Sequence, residues 1–166
     1  MGPVTIRPAV RDDIDAIVER WMELVTEQQA YGTALLAEEN RETARRWTAE
    51  LVASDGMIVA SRDDELIGFV SFDRQYDRFQ RTVTTGVVHN LVVREGDRSA
   101  GIGTDLLAAA EAELTERDVD RIRLESMAKN EQAERFYRER GYRIHRQTFT
   151  KHVSETDNHN TGDDQA

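Results

Sequence analysis

Leu91-Val92-Val93-Arg94-Glu95-Gly96-Asp97-Arg98-Ser99-Ala100-Gly101-Ile102-Gly103-Thr104 joins two runs of different periodicity. Val87, Val88, Leu91, Val92 and Val93 are apolar and mostly β-branched, as in a buried strand. Arg94 to Asp97 is polar and holds a glycine, which ends the strand. Leu106, Leu107, Ala110 and Leu114 then recur at helical spacing. Between the two lies Arg98-x-x-Gly101-x-Gly103. Glycines let a backbone turn sharply and come close to a ligand. The first N–H groups of a helix point outward with the positive end of its dipole, which makes a seat for a phosphate. Arg98 adds a cation that can fork onto phosphate oxygens. A tight strand-to-helix turn accounts for the same glycines, and Arg98 also suits a surface ion pair.

No Gly-Lys-Ser/Thr is present, so this is not a nucleoside-triphosphate loop. Leu106 stands where the dinucleotide fingerprint has its third glycine, which speaks against a nicotinamide or flavin fold. Downstream, Arg121-Ile122-Arg123-Leu124-Glu125-Ser126 alternates like a strand. Asn130-Glu131-Gln132-Ala133-Glu134-Arg135-Phe136-Tyr137-Arg138-Glu139-Arg140-Gly141-Tyr142 follows as a helix. Its stripe is Ala133, Phe136, Tyr137 and Arg140, and Gly141 stands at the C-cap. The two blocks, in this order, resemble the signature of the GNAT acyltransferases. Arg/Gln-x-x-Gly-x-Gly/Ala is the acetyl-CoA loop of that family, and Asn-x-x-Ala-x-x-Phe-Tyr-x-x-x-Gly-Tyr/Phe is its second half. The resemblance covers about residues 59–149.

The 166 residues suffice for one domain with a proper core. A single domain is expected over 1–153, with a disordered acidic tail over 154–166. No run of eighteen apolar residues is present, and Met1 to Arg7 lacks an apolar signal core, so a cytoplasmic protein is expected. The absence of cysteine excludes disulfides, thiolate zinc sites and a cysteine acyl-enzyme. The charge is −10, with 32 acidic against 22 basic residues. Such a field disfavours nucleic acid and anionic membranes as partners and favours cationic amines. Among the basic residues only Lys129 and Lys151 are lysines, which gives the surface a halophile-like composition; a GC-rich genome would produce the same bias.

In chain order, 4–8 reads as a strand ended by Pro8, and Asp12 or Asp13 as the cap of a helix. That helix faces inward with Ile14, Ile17, Val18, Trp21, Leu24 and Val25. A second helix, about 42–52, buries Ala44, Trp47, Leu51 and Val52. Residues 57–61 and 66–72 form a hairpin around a charged turn. A polar loop with Tyr76 and Phe79 precedes a long strand over 82–93. After the glycine loop come a helix, the strand 121–126, the helix 131–140 and a last strand 142–151. This is an α/β (α+β) chain. The resemblance implies a mixed, mostly antiparallel sheet of six to seven strands, flanked by about four helices, with splayed central strands. It also implies that the first two helices wall the acceptor, where Tyr31, Trp47, Tyr76 and Phe79 are candidate contacts; for Trp47 core packing is the plainer role.

For the site, the resemblance implies that the backbone of Leu91, Val92 and Val93 holds the pantetheine arm of acetyl-CoA. Arg98, Ser99, Gly101, Ile102, Gly103 and Thr104 would hold its pyrophosphate. Asn130 would bond the pantetheine, although it is equally a helix N-cap. Tyr137 would protonate the departing sulfur, although it also fits an apolar stripe. Strand parity puts Val87, His89, Leu91 and Val93 on one face, and His89 is the candidate base, with Glu125, Asn90 and solvent as rivals. His145, His152 and His159 lack ligand spacing, so no metal is expected. The implied activity is N-acetyl transfer from acetyl-CoA to a primary amine by direct attack. The acceptor would be a small molecule or a protein amine. A non-catalytic CoA-sensing or interaction module of the same fold is the alternative. Relatives often pair, so a homodimer is compatible.

Overall fold

The computed structural model describes residues 2–155. Its elements run β1 (Thr5–Pro8), α1 (Ile14–Gln28), α2 (Arg41–Ala53), β2 (Met57–Arg62), β3 (Glu65–Arg74), β4 (Thr85–Val93), α3 (Ile102–Glu116), β5 (Arg121–Leu124) and α4 (Glu131–Glu139). The chain divides into two compact units, Met1–Glu131 and Gln132–Ala166.

In the first unit the five strands lie in the order β1-β2-β3-β4-β5. All neighbours are antiparallel except β4 and β5, which run parallel across the α3 crossover. Five strands form among the described residues, not the six to seven expected. The missing one is 142–151, which forms no strand. Its alternation fails after Ile144, because Arg146 and Thr148 fall where apolar side chains would continue the face. Ile144 and Phe149 stay exposed. From the expected tail, Ser154 and Glu155 lie in a short turn, Val153–Glu155, and 156–166 fall outside the described residues.

The β2–β3 hairpin turns on Asp63 and Asp64, both left-handed at φ 50° and 62°. Two positive-φ residues make a type I′ turn, whose twist matches that of the strands. Successive residues of β3 then face opposite layers. Phe69 clusters with Ile17 of α1, Leu51 of α2, Met57, Val59 and Val92. Gly68 looks the other way, where a Cβ would meet the Leu106 side chain of α3 at 3.3 Å and the Val92 carbonyl at 2.6 Å. At Gly86 a Cβ would sit 2.9 Å from both Leu114 methyls. These two glycines let α3 lie close on the sheet, which fixes where its N-terminus opens. Leu106, Leu107, Ala110 and Leu114 are fully buried there, in agreement with the expected stripe.

Three local expectations are corrected. Neither Asp12 nor Asp13 caps α1 by a side-chain bond. A 3-10 turn, Arg11–Asp13, precedes it, and the Asp13 carboxylate accepts the Val10 amide at 2.8 Å. Asp13 also takes Arg7 in a fork at 2.7 and 2.9 Å. The strand expected over 82–93 begins only at Thr85, and that over 121–126 ends at Leu124.

In the second unit α4 ends as its sequence implies. Gly141 is left-handed at φ 90°. Its amide bonds the Arg138 carbonyl at 3.1 Å, and the Tyr142 amide bonds the Tyr137 carbonyl at 3.1 Å. This is the paired closure of a Schellman motif. Among the described residues no helix is long and apolar enough to cross a membrane.

Candidate active site

β4 carries the site because it changes partners along its length. Its ladder with β5 starts at Thr85–Arg121 and ends at Val88–Leu124. From His89 to Val93 no strand among the described residues pairs with β4 on that side. The backbone of Leu91 to Val93 therefore borders a gap in the strand pairing.

A β-bulge sits at the point of divergence. Ser71 pairs with Asn90 and Phe72 pairs with Val88, which leaves His89 as the extra residue of β4. The Asn90 amide, displaced from the regular ladder, donates to the buried Ser71 hydroxyl at 3.0 Å. A bulge bends its strand and re-aims its side chains. The expected common face of Val87, His89, Leu91 and Val93 is therefore corrected. His89 meets Trp47 of α2 edge-on, with ring centroids 5.3 Å apart. Leu91 and Val93 pair with Val70 and Gly68, on the α3 face. Strand parity assumes an unbroken ladder, and the extra residue breaks it.

His89 is exposed, and the part of its ring packed against the protein lowers its pKa from the ordinary imidazole value. Asp73, Arg123 and Glu125 act on it with opposing signs. That direction favours the neutral imidazole, the form able to accept a proton. Of its rivals, Glu125 is paired with Arg123 at 3.0 Å. Trp47 packs against the core, the plainer of its two expected roles, and its ring also meets that of His89.

After β4 the chain forms a short turn, Glu95–Asp97, before the glycine loop. Ser99 and Gly101 are left-handed at φ 68° and 81°. A Cβ on Gly101 would meet nothing within 4 Å, so the loop faces open space. Gly101 closes the first helical bond of α3 through its carbonyl, from the Asp105 amide at 3.0 Å. Among the described residues the amides of Ser99, Ala100, Gly101, Ile102 and Gly103 meet no protein acceptor. Thr104 follows in the first turn. Several outward N–H groups at a helix start are what a pyrophosphate requires.

Two acidic partners of this loop were not anticipated. Asp97 is buried, accepting Arg94 Nε at 2.7 Å and also pairing with Arg62 of β2. Arg94, and after it Arg62, hold its carboxyl below the ordinary range. Arg94 reaches on to Glu65 at 2.5 Å. The cluster clamps the loop to the β2–β3 hairpin. Only its Arg94–Asp97 spacing, three residues, is visible in sequence. The other is Glu27, at the end of α1, which holds Arg98.

Asn130 directly precedes α4, in the N-cap place, and its amide bonds the Met127 carbonyl at 2.8 Å. Tyr137 lies in the second unit. Its ring meets those of Phe136 and Tyr142 edge-on, at 5.3 and 5.9 Å. Burial pushes its phenol above the ordinary tyrosine value. The first unit thus carries His89, Leu91 to Val93 and the 98–104 loop, with Asn130 at its end, while Tyr137 is carried by the other.

Residues 18–142 match the model of the acetyltransferase (GNAT) family. The match begins well before the stretch that carried the resemblance, and so takes in most of α1 and all of α2. An uncharacterized N-acetyltransferase of Archaeoglobus fulgidus is 30% identical over 132 residues, covering 80% of this chain and 88% of the relative. In fold, the chain is similar to a GCN5-related N-acetyltransferase from Ralstonia eutropha, with a TM-score of 0.74 and 19% identity, over 92% and 99% of the two chains. It is likewise similar to an aminoglycoside N-acetyltransferase in complex with CoA, with a TM-score of 0.69 and 16% identity, over 92% and 97%.

Proposed function

The chain belongs to the GNAT family of acetyltransferases, and on that premise we propose that it moves an acetyl group from acetyl-CoA to a primary amine by direct attack. The observation that carries this is the parting of β4 from β5 beyond Val88, beside a helix start where, among the described residues, the amides of Ser99 to Gly103 meet no protein acceptor. We read 1–153 as one acyltransferase domain, since the family match crosses from one compact unit into the other.

Acetyl-CoA supplies the acetyl group as a thioester. The amides of Ser99, Gly101, Ile102 and Gly103, with Thr104 and Arg98, hold its pyrophosphate. The backbone of Leu91, Val92 and Val93 receives the pantetheine arm along the unpaired edge, and Asn130 bonds that arm. His89 accepts the proton that the amine must lose, directly or through one water. Tyr137 donates a proton to the sulfur as the carbon–sulfur bond breaks and the carbon–nitrogen bond forms. A phenol raised by burial keeps that proton throughout the neutral range. The net negative charge favours cationic amines in the encounter, an effect that salt weakens.

Thiol release from acetyl-CoA is to be followed across a panel of small amines, aminoglycosides and peptides. Amine-dependent release supports the enzyme. CoA binding without release on any acceptor would instead identify a CoA-sensing module, and no binding at millimolar CoA would remove the CoA site.

A further inference from the structure

Arg98 is committed elsewhere in the free protein. Its Nη2 lies 2.8 and 2.9 Å from the two carboxylate oxygens of Glu27. Its Nε donates to the Val93 carbonyl at 2.9 Å. Nε and Nη2 form one of the two edges by which a guanidinium can clasp an oxyanion, and while Glu27 and the Val93 carbonyl hold it that edge is closed to a phosphate. It cannot serve Glu27 and a pyrophosphate together. We infer that Glu27 is an internal competitor for Arg98, and that the exchange of this arginine from Glu27 to the pyrophosphate lowers cosubstrate affinity and loosens the end of α1. This rests on the 98–104 loop being the pyrophosphate site.

Position and chemistry agree with this role. Glu27 stands in the last turn of α1, directly before the 3-10 turn Gln29–Tyr31 and the left-handed Gly32 at φ 91°. The ion pair therefore ties the glycine loop to the α1–α2 connection, 71 residues away in sequence. Both side chains are about two-fifths exposed, at 42% and 41%. A pair so exposed is weak, so the exchange is easy and the penalty on binding is small. The Val93 carbonyl is freed in the same step, on the strand edge that borders the gap. A cosubstrate that took Arg98 would leave Glu27 without its partner and the connection after α1 free to move.

The test is calorimetric titration of CoA into four proteins: wild type, Glu27→Gln, Arg98→Gln and the double variant. Glu27→Gln is expected to bind CoA about two- to fivefold more tightly, the scale of one exposed ion pair. The gain should shrink as salt screens the pair in the wild type. In the Arg98→Gln background the same change at Glu27 should leave affinity unaltered. Weaker or equal binding by Glu27→Gln overturns the inference and makes the pair a strut that holds the loop. A gain that persists without Arg98 overturns it too, because removal of a negative charge then acts through space alone. No heat from the wild type would overturn the CoA site, and this inference with it; heat from the wild type with no gain in the variant defeats the competitor role alone.

Discussion

At the scale of single residues, two side chains differ in which protonation state their surroundings protect. Tyr137 is kept protonated, because burial disfavours the phenolate. Tyr137→Phe should lower kcat by about a hundredfold, the lower end for a lost proton transfer, while CoA affinity measured by calorimetry stays the same. An unchanged kcat would remove Tyr137 from the chemistry. His89 is shifted toward the neutral form, chiefly by the part of its ring packed against the protein. Its folded pKa lies below the free imidazole value, so the base form persists to lower pH than usual. The acid limb of the kcat/KM profile should therefore fall below about pH 6.5 and disappear in His89→Gln. A limb unmoved by that substitution assigns the base to another group. The motif is what singles out Tyr137 as the proposed acid. For His89 the residue type was readable, but the face it occupies was not.

Among elements, β4 is where the local pattern and the structure part company. An uninterrupted ladder would have put His89 beside Leu91 and Val93. The bulge turns it toward Trp47 of α2 instead. Ser71 makes that geometry affordable, since its hydroxyl takes the Asn90 amide inside the sheet. Ser71→Ala leaves that amide without an acceptor and should cost about 1–2 kcal/mol, read as a lower urea midpoint at constant slope. Activity should fall with it, because the bulge aims His89. An unaltered midpoint would mean that the ladder re-pairs around the gap. α3 shows the opposite case. Its apolar stripe predicted the buried face, and Gly68 and Gly86 let that face lie close.

For the whole molecule, carboxylates held by arginines set the acid limit of stability. Asp13, forked by Arg7, and Asp97, held by Arg94 and Arg62, both have pKa values below the ordinary one. Each contributes stability that is fully present above the unfolded carboxylate value, about 4, and lost as pH falls through the folded value. The Tm should be nearly flat from pH 7 to about 5 and drop steeply below about 4. Asp13→Asn should lower the Tm at pH 7 and make the acid slope shallower; an equal slope in that variant would place the titration elsewhere.

Some of this architecture was written in short stretches of chain. Helical stripes, the turn at Asp63-Asp64, the glycine loop and the Gly141 closure each depend on residues a few positions apart, so their patterns appear directly in sequence. Other features exist only because distant segments meet. Arg98 finds Glu27 across 71 residues, and Arg62 finds Asp97 across 35. The bulge at His89 needs two strands to disagree by one residue. A strand is likewise defined by its neighbour, which is why 142–151, with exposed Ile144 and Phe149, forms none among the described residues. Local sequence sets what a segment can become, through backbone sterics and side-chain period. Which charge is answered, and which edge is left open, is decided by packing, because those energies arise between groups that the chain itself keeps apart.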